Sequence, residues 1–445
     1  MPLPRLLRPA LLVVCVLALA GALTLGAGIF LGGTSKQAAG PTDAGRAAPA
    51  IDPAAIADTD NLVATLQARL RVTPKDHRAL STLALAYVEK ARTTADPTYY
   101  SKADQAVARA ARIAPGDSVL LIAKATLATA RHDFSVALTD ADHALKVNPY
   151  SGQAQAIRAD ALTELGRYDE ALAAATRSDE LGPGSSTFAR LSYQAELRGD
   201  LTQATRLMRM SLEAAGRSAA SYAFAAFHLG ELARAQGRLD KAATFYADAR
   251  SADPTYLPAL AGQARIAVAR GKVNAAERDY LQVVRGLPLT EYLVELGELY
   301  EATGRKDLAL QQYAVATASA KLAAANGVAT DLETAVFQAD HGSAADALTA
   351  AKAEWERRQS IHTADALAWA LHAARRDNEA LRYTKAATRL GTQDARILFH
   401  RGAIESALRL PAAAGHLRAA LRLDAGTSPW REKAIRSFLA LARAR

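Results

Sequence analysis

Small residues punctuate this chain at a fixed interval: Ala103, Ala137 and Ala171 stand 34 residues apart, and Pro115, Pro149 and Pro183 follow twelve residues behind each. A beat of that length marks a stack of supersecondary units rather than a single globular core. The hydrophobic pattern contains no long alternating runs of Val, Ile or Thr, so the units are helical rather than stranded. In the window LTELGRYDEALAAATRSDELGPG, Gly166 falls where a first helix must turn sharply into a second, and Pro183 falls where the second must stop. Each unit therefore reads as one antiparallel helix pair. Such a pair cannot bury its apolar face alone, so stacking is compulsory.

The windows around these positions resemble the tetratricopeptide repeat family. The resemblance is carried by Ala159, Leu162, Gly166, Tyr168, Ala171, Ala175 and Pro183, and more fully by Leu229, Gly230, Gly237, Leu239, Ala242, Tyr246, Ala249 and Pro254. It continues through Ala264, Gly271, Ala276, Tyr280 and Pro288, then Leu296, Gly297, Tyr300, Gly304, Ala309 and Tyr313. The resemblance implies an all-α fold, a right-handed superhelical solenoid of antiparallel helix pairs. Followed outward, the beat gives about ten repeats over residues 77–426. An insertion, ARTTADPTYYS, is expected to lengthen the turn between Tyr87 and Ala103, and the second helix after Ala309 to run long before a loop near Asn326 and Gly327. Because each unit of a solenoid touches only its neighbours, one elongated domain of this size is expected.

Flanking segments complete the organisation. Residues 1–9 form a basic N-terminus, and 10–33 are uncharged and largely apolar, long enough as a helix to rise about 36 Å across a bilayer core of about 30 Å. Arg5 and Arg8 precede that run and no acid occurs before Asp43, so a single transmembrane signal-anchor is expected, N-terminus cytoplasmic and solenoid extracytoplasmic. A cleaved signal peptide ending near Ala20-Gly21-Ala22, which would leave the protein secreted, is the alternative; the apolar run continuing through Leu23, Leu25, Ile29, Phe30 and Leu31 favours the anchor. Residues 34–54 read as a flexible Gly, Pro and Ala-rich linker, and 55–74 as a covering helix with Ile56, Leu62, Leu66 and Leu70. Residues 427–445 read as a capping helix, apolar along Trp430, Ala434, Ile435, Phe438 and Leu441 and polar outside with Arg431, Lys433 and Arg436.

Composition narrows the chemistry. The only cysteine, Cys15, lies in the apolar N-terminal run, so the remainder can form no disulfide. Nine histidines are scattered, without the helical pairing that a zinc hydrolase uses, and neither a phosphate loop nor a GxSxG elbow occurs. No catalytic, cofactor-binding or metal-ligating residue is assigned, and no cofactor is expected. Trp355, Trp369 and Trp430 are read as core. The net charge is +9, with Arg5, Arg8 and Lys36 ahead of the first acid; the modest excess left over the solenoid does not suggest nucleic acid.

The family resemblance implies that the first helix of each pair lines a concave groove where a protein or peptide binds. Carried onto this chain, it gives Asp160, Tyr193, Glu196, Phe227, Glu231, Arg234, Arg265, Glu298 and Glu301 as groove candidates. The competing reading is a set of inter-repeat ion pairs, for instance Arg265 with Glu298. The expected function is a non-catalytic, membrane-tethered scaffold for protein interaction that assists assembly or maturation of an exported or membrane complex. A wall-polymer enzyme on a helical scaffold and a cytoplasmic-facing adaptor are the alternatives.

Overall fold

The computed structural model describes residues 59–443; the expected anchor and linker, and Ile56, lie outside them. Helix α1 (Thr59–Val72) precedes ten helix pairs: α2 (His77–Thr94) with α3 (Thr98–Ala111), α4 (Ser118–Ala130) with α5 (Phe134–Val147), α6 (Gly152–Glu164) with α7 (Tyr168–Leu181), α8 (Ser185–Leu197) with α9 (Leu201–Ala214), and α10 (Ala219–Arg234) with α11 (Leu239–Ala252). There follow α12 (Leu257–Ala269) with α13 (Val273–Gly286), α14 (Thr290–Ala302) with α15 (Lys306–Ala325), α16 (Asp331–His341) with α17 (Ala344–Arg357), α18 (Ile361–Ala373) with α19 (Asp377–Ala387), and α20 (Ala395–Ala407) with α21 (Ala413–Asp424). Helix α22 (Pro429–Arg443) ends the described chain. Among the described residues there is no strand, and no helix is long and apolar enough to cross a membrane. The protein is an all-helical, tetratricopeptide-like solenoid.

The two helices of a pair have different jobs, visible in their residues. Helix α10 buries residues around its circumference, from Ser221 and Phe224 to Leu229 and Leu232, whereas α11 buries only Ala242, Tyr246 and Ala249. First helices are thus wrapped by neighbours, and second helices present one small-residue stripe inward and a solvated face outward. Close approach depends on missing side chains: a Cβ on Gly230 or Gly262 would lie 2.4 or 2.6 Å from the Tyr246 ring, which fills the groove between α10 and α12. Asp117, Asp133, Ser151, Asp200, Ser218 and Asp394 each accept a backbone N–H at a helix start, worth about 1 kcal/mol apiece.

Units touching only their neighbours, as expected for an elongated solenoid, is not what the chain builds. The superhelix turns tightly enough that pairs six apart meet along a seam. His132 Nδ1 lies 2.9 Å from the Ala329 carbonyl, Arg358 is paired with Glu164, the Ile361 N–H donates to Tyr168 Oη at 2.7 Å, and Arg234 donates to Thr427 Oγ1 at 3.4 Å. These partners are separated by 193 to 197 residues. The within-pair turns of the first superhelical turn seat on loops of the second, and backbones nearly touch there: a Cβ on Gly166 or Gly199 would lie 2.3 or 2.2 Å from the Gln359 or Gly391 carbonyl oxygen. Ala95 belongs to the same series, buried with Leu260, Leu287 and Tyr292.

One local expectation changes. ARTTADPTYYS does not lengthen a turn: α2 continues through Arg92 to Thr94 and α3 begins at Thr98, so the extra residues extend helices. Ala95, in the left-handed conformation at φ 53°, turns the chain, and its burial in the seam compensates the cost of a non-glycine there. Helix α15, by contrast, runs to Ala325 before the loop at Asn326 and Gly327, as its sequence indicates. The tryptophans pack as core: Trp369 is buried, Trp355 packs between Ala-rich helices and Trp430 against Phe399, Leu417 and Ile435.

Candidate functional site

The inner faces of the first helices, closed on one side by the seam, surround a cavity of about 880 Å³ that reaches from Thr59 and Leu62 of α1 to Arg431 of α22. Its wall mixes apolar residues, among them Leu85, Ile122, Phe224, Phe227, Leu289 and Phe337, with a large ionic complement. Eleven carboxylates and five guanidiniums line it, with three imidazoles and no lysine among the described residues. The chain as a whole carries +9. Its charge is therefore inverted between surface and channel.

Asp160, Tyr193, Glu196, Phe227, Glu231, Arg234, Arg265 and Glu298 all stand on this wall, contributed by five successive first helices, α6 to α14. Glu301 does not; it lies off the wall, its charge felt by the Tyr313 hydroxyl, whose pKa it helps to raise. Most of the eight are engaged with other side chains. Asp160 accepts from Arg190 Nε and Nη2 at 3.0 Å each, and Tyr193 Oη lies 3.3 Å from His362 Nε2 across the seam. Glu231 accepts from Arg234 at 2.7 Å, Arg265 at 3.2 Å and Tyr246 Oη at 2.5 Å. Arg265 also pairs with Glu295 at 2.9 Å, so the inter-repeat pairing offered as the competing reading does form, with Glu231 and Glu295 rather than Glu298 as the partners. Glu298 instead meets His341 and accepts from Ser428, each at 3.3 Å. Phe227 stays half-buried, 5.8 Å from the Tyr256 ring and 5.9 Å from that of Tyr246.

Several wall residues were not singled out from the sequence. Glu291 and Glu295 precede Glu298 by seven and three residues on one face of α14, and His228 shares the α10 face with Phe224 and Glu231, so helical register alone could have found them. Asp394, Arg396 and His362 arrive from the second superhelical turn and have no local signal. Arg431 is a correction: it turns inward, not to a polar outer face, and donates to Asp424 at 2.7 Å. Helix α22 packs on α14 as well as α20 and α21, so the last helix brings that guanidinium into the channel.

The electrostatics divide the wall in two. Burial raises the Glu231 carboxyl, but Arg234 and Arg265 outweigh it and hold it at about 2. Glu196 is pushed up to about 7 by burial and by Asp394 and Glu231, against which Arg234 is insufficient. Glu291 reaches about 7 through burial, Arg265 opposing it and Glu295 adding to it. Burial depresses His228 and His362 to about 4, Arg396 contributing at His362, so both are neutral near pH 7. No group of three or more His, Cys, Asp and Glu among the described residues is arranged to hold a metal ion.

No family model matches the chain, and no curated protein matches it. Solved structures do. A human IFIT1 dimer with PPP-AAAA is similar over 71% of this chain and 73% of that one, at 15% identity and a TM-score of 0.47. PilW, described as a type IV pilus biogenesis factor, is similar over 45% of this chain and 92% of its own, at 18% identity and TM-score 0.38. YrrB, described as a TPR protein with an unusual peptide-binding site, covers 41% of this chain and 92% of its own, at 17% identity and TM-score 0.28. At these identities the likeness concerns the helical-repeat fold alone.

Proposed function

We propose that this chain is a non-catalytic scaffold whose interior channel receives a polypeptide segment of a partner protein. The observation that carries this reading is the convergence of eight candidate residues, from five consecutive repeats, on one amphipathic cavity. A wall of that kind suits an extended chain: apolar positions such as Phe224 and Phe227 bury side chains, while fixed charges set register. The elevated carboxyls Glu196 and Glu291 are compatible with binding and require no reaction. The same proposal holds the solenoid outside the cytoplasm on an N-terminal anchor at residues 10–33, where it assists assembly or maturation of an exported or membrane complex.

Affinity capture of the full chain from its own cells, after mild crosslinking and detergent extraction, tests the scaffold. A partner retained by the wild type and lost with Phe227→Ala supports it; identical capture by both contradicts the channel assignment. Protease digestion of intact cells tests the topology. Protection of the solenoid would place it in the cytoplasm and favour the regulatory-adaptor alternative.

A further inference from the structure

We propose that the segment the channel receives is cationic, its Lys or Arg side chains set against Glu196 and Glu291. The inference rests on the reading of the channel as a polypeptide-binding site and adds the chemistry of its occupant.

Three observations lead there. The first is the bookkeeping of pairs on the wall. Asp160 and Glu164 are matched by Arg190 and Arg358 from behind it, and Glu231 and Glu295 by Arg234 and Arg265. Glu196 and Glu291 line the same cavity with no ion pair within 4.0 Å among the described residues; Asp394 and Glu231 act on Glu196 more strongly than Arg234 does, and Glu291 shares Arg265 with two further carboxylates, Glu295 and Glu231. A guest that brings positive charge converts that repulsion into attraction, whereas a polyanion would add to it.

The second is a set of buried polar atoms without partners. Thr126 is 2% exposed and its Oγ1 has no hydrogen bond, although Thr129, one turn on, back-bonds normally to Ala125. His362 is 6% exposed and its Nδ1 is likewise unpaired, its other ring nitrogen being held by Tyr193. Both residues line the cavity. Unmatched buried polar groups are costly, and the backbone N–H and C=O groups of a threaded peptide are the complementary chemistry.

The third is the alternation of these charges with Leu85, Ile122, Phe224 and Phe227, which would seat apolar side chains and the methylene stems of lysines and give a bare cation nothing. A basic, partly apolar peptide satisfies the whole wall.

The test measures fluorescence anisotropy of three labelled peptides of one length and one apolar pattern, with every polar position Lys, Gln or Glu, against the detergent-solubilised full chain. The Lys peptide should bind at least about tenfold tighter than the Gln peptide, and the Glu peptide weakest. In Glu196→Gln/Glu291→Gln the Lys advantage over the Gln peptide should fall about tenfold while the thermal melt near about pH 5 stays that of the wild type, which separates lost charge from lost folding. The advantage should also grow between about pH 6 and about pH 8 as Glu196, facing Asp394, Glu231 and Arg234, and Glu291, facing Arg265, Glu295, Tyr292 and Glu231, ionise. Equal binding of the three peptides, still weakened by Phe227→Ala, would overturn the charge inference and leave the channel reading standing. Spermine competing as well as the Lys peptide would overturn the peptide as occupant. Binding of none would overturn the channel reading and this inference with it.

Discussion

The seam and the channel bury similar groups in opposite ways. In the seam Glu164 meets Arg358, which also holds Glu354, and all three are at least nine-tenths buried. In the channel, one pair further along, Glu196 faces Asp394 and Glu231 and titrates near 7. The seam's central cluster is satisfied within the chain: Arg358 holds both Glu164 and Glu354, and the tightest backbone approaches fall at Gly166 and Gly199. In the channel Glu196 and Glu291 have no ion pair within 4.0 Å among the described residues.

The sharpest way to break that contrast is Arg358→Ala. It leaves Glu164 and Glu354 buried without their guanidinium and should cost about 3–5 kcal/mol, read in a chemical or thermal melt. Next is a pair of glycine variants. Gly271 has φ 69° and nothing near its missing Cβ, so Gly271→Ala should cost about 1–2 kcal/mol from backbone strain alone. Gly199 has φ 74° and the Gly391 carbonyl in its way, so Gly199→Ala should cost about 1–3 kcal/mol more and, in small-angle scattering, open the particle. Equal losses would mean that the seam does not hold.

The channel should respond to pH with the opposite sign from an ordinary paired carboxylate. Glu196 and Glu291 hold protons more tightly folded, at about 7, than at the ordinary 4.5, so their contribution to stability falls as pH rises between those values. Glu196→Gln/Glu291→Gln should therefore raise the melting temperature above about pH 7 and change it little near about pH 5. Glu231 behaves in the reverse sense: held at about 2, it stabilises above 4.5 and loses that contribution as pH falls towards 2. His228 and His362, depressed from 6.5 to about 4, likewise stabilise the fold above 6.5 and cease to do so as pH drops towards 4. The smallest effect is expected at the exposed Arg167–Glu170 pair, where Glu170→Gln should leave the melt indistinguishable from that of the wild type.

Local rules carried most of the architecture. Gly230 and Tyr246, or Gly297 and Tyr313, announce a repeat because a small residue must face a large one, and both are near in sequence. The wall residues of α6 to α14 followed from repeat register, and Glu291, Glu295 and His228 lay within reach of it. The seam was not legible, for a geometric reason. Glu164 and Arg358 are 194 residues apart, and whether they meet depends on small per-repeat rotations accumulated over six pairs. One trace was present at the turns: His132, Arg375 and Arg409 adopt positive φ where other turns carry glycine, and His132 regains its cost by bonding to Ala329 across the seam. The expectation of an elongated array failed there, because nearest-neighbour reasoning omits contacts made only after a full superhelical turn.

The claim that the channel, not the outer surface, receives a polypeptide is tested most directly by site-specific photocrosslinking in cells. A photoreactive residue would be placed at Phe227 on the wall and, separately, at Leu310, which is 64% exposed on α15. The account predicts a discrete adduct to another polypeptide from position 227 and none from 310. Adducts from 310 alone, or the same adducts from both, would contradict it.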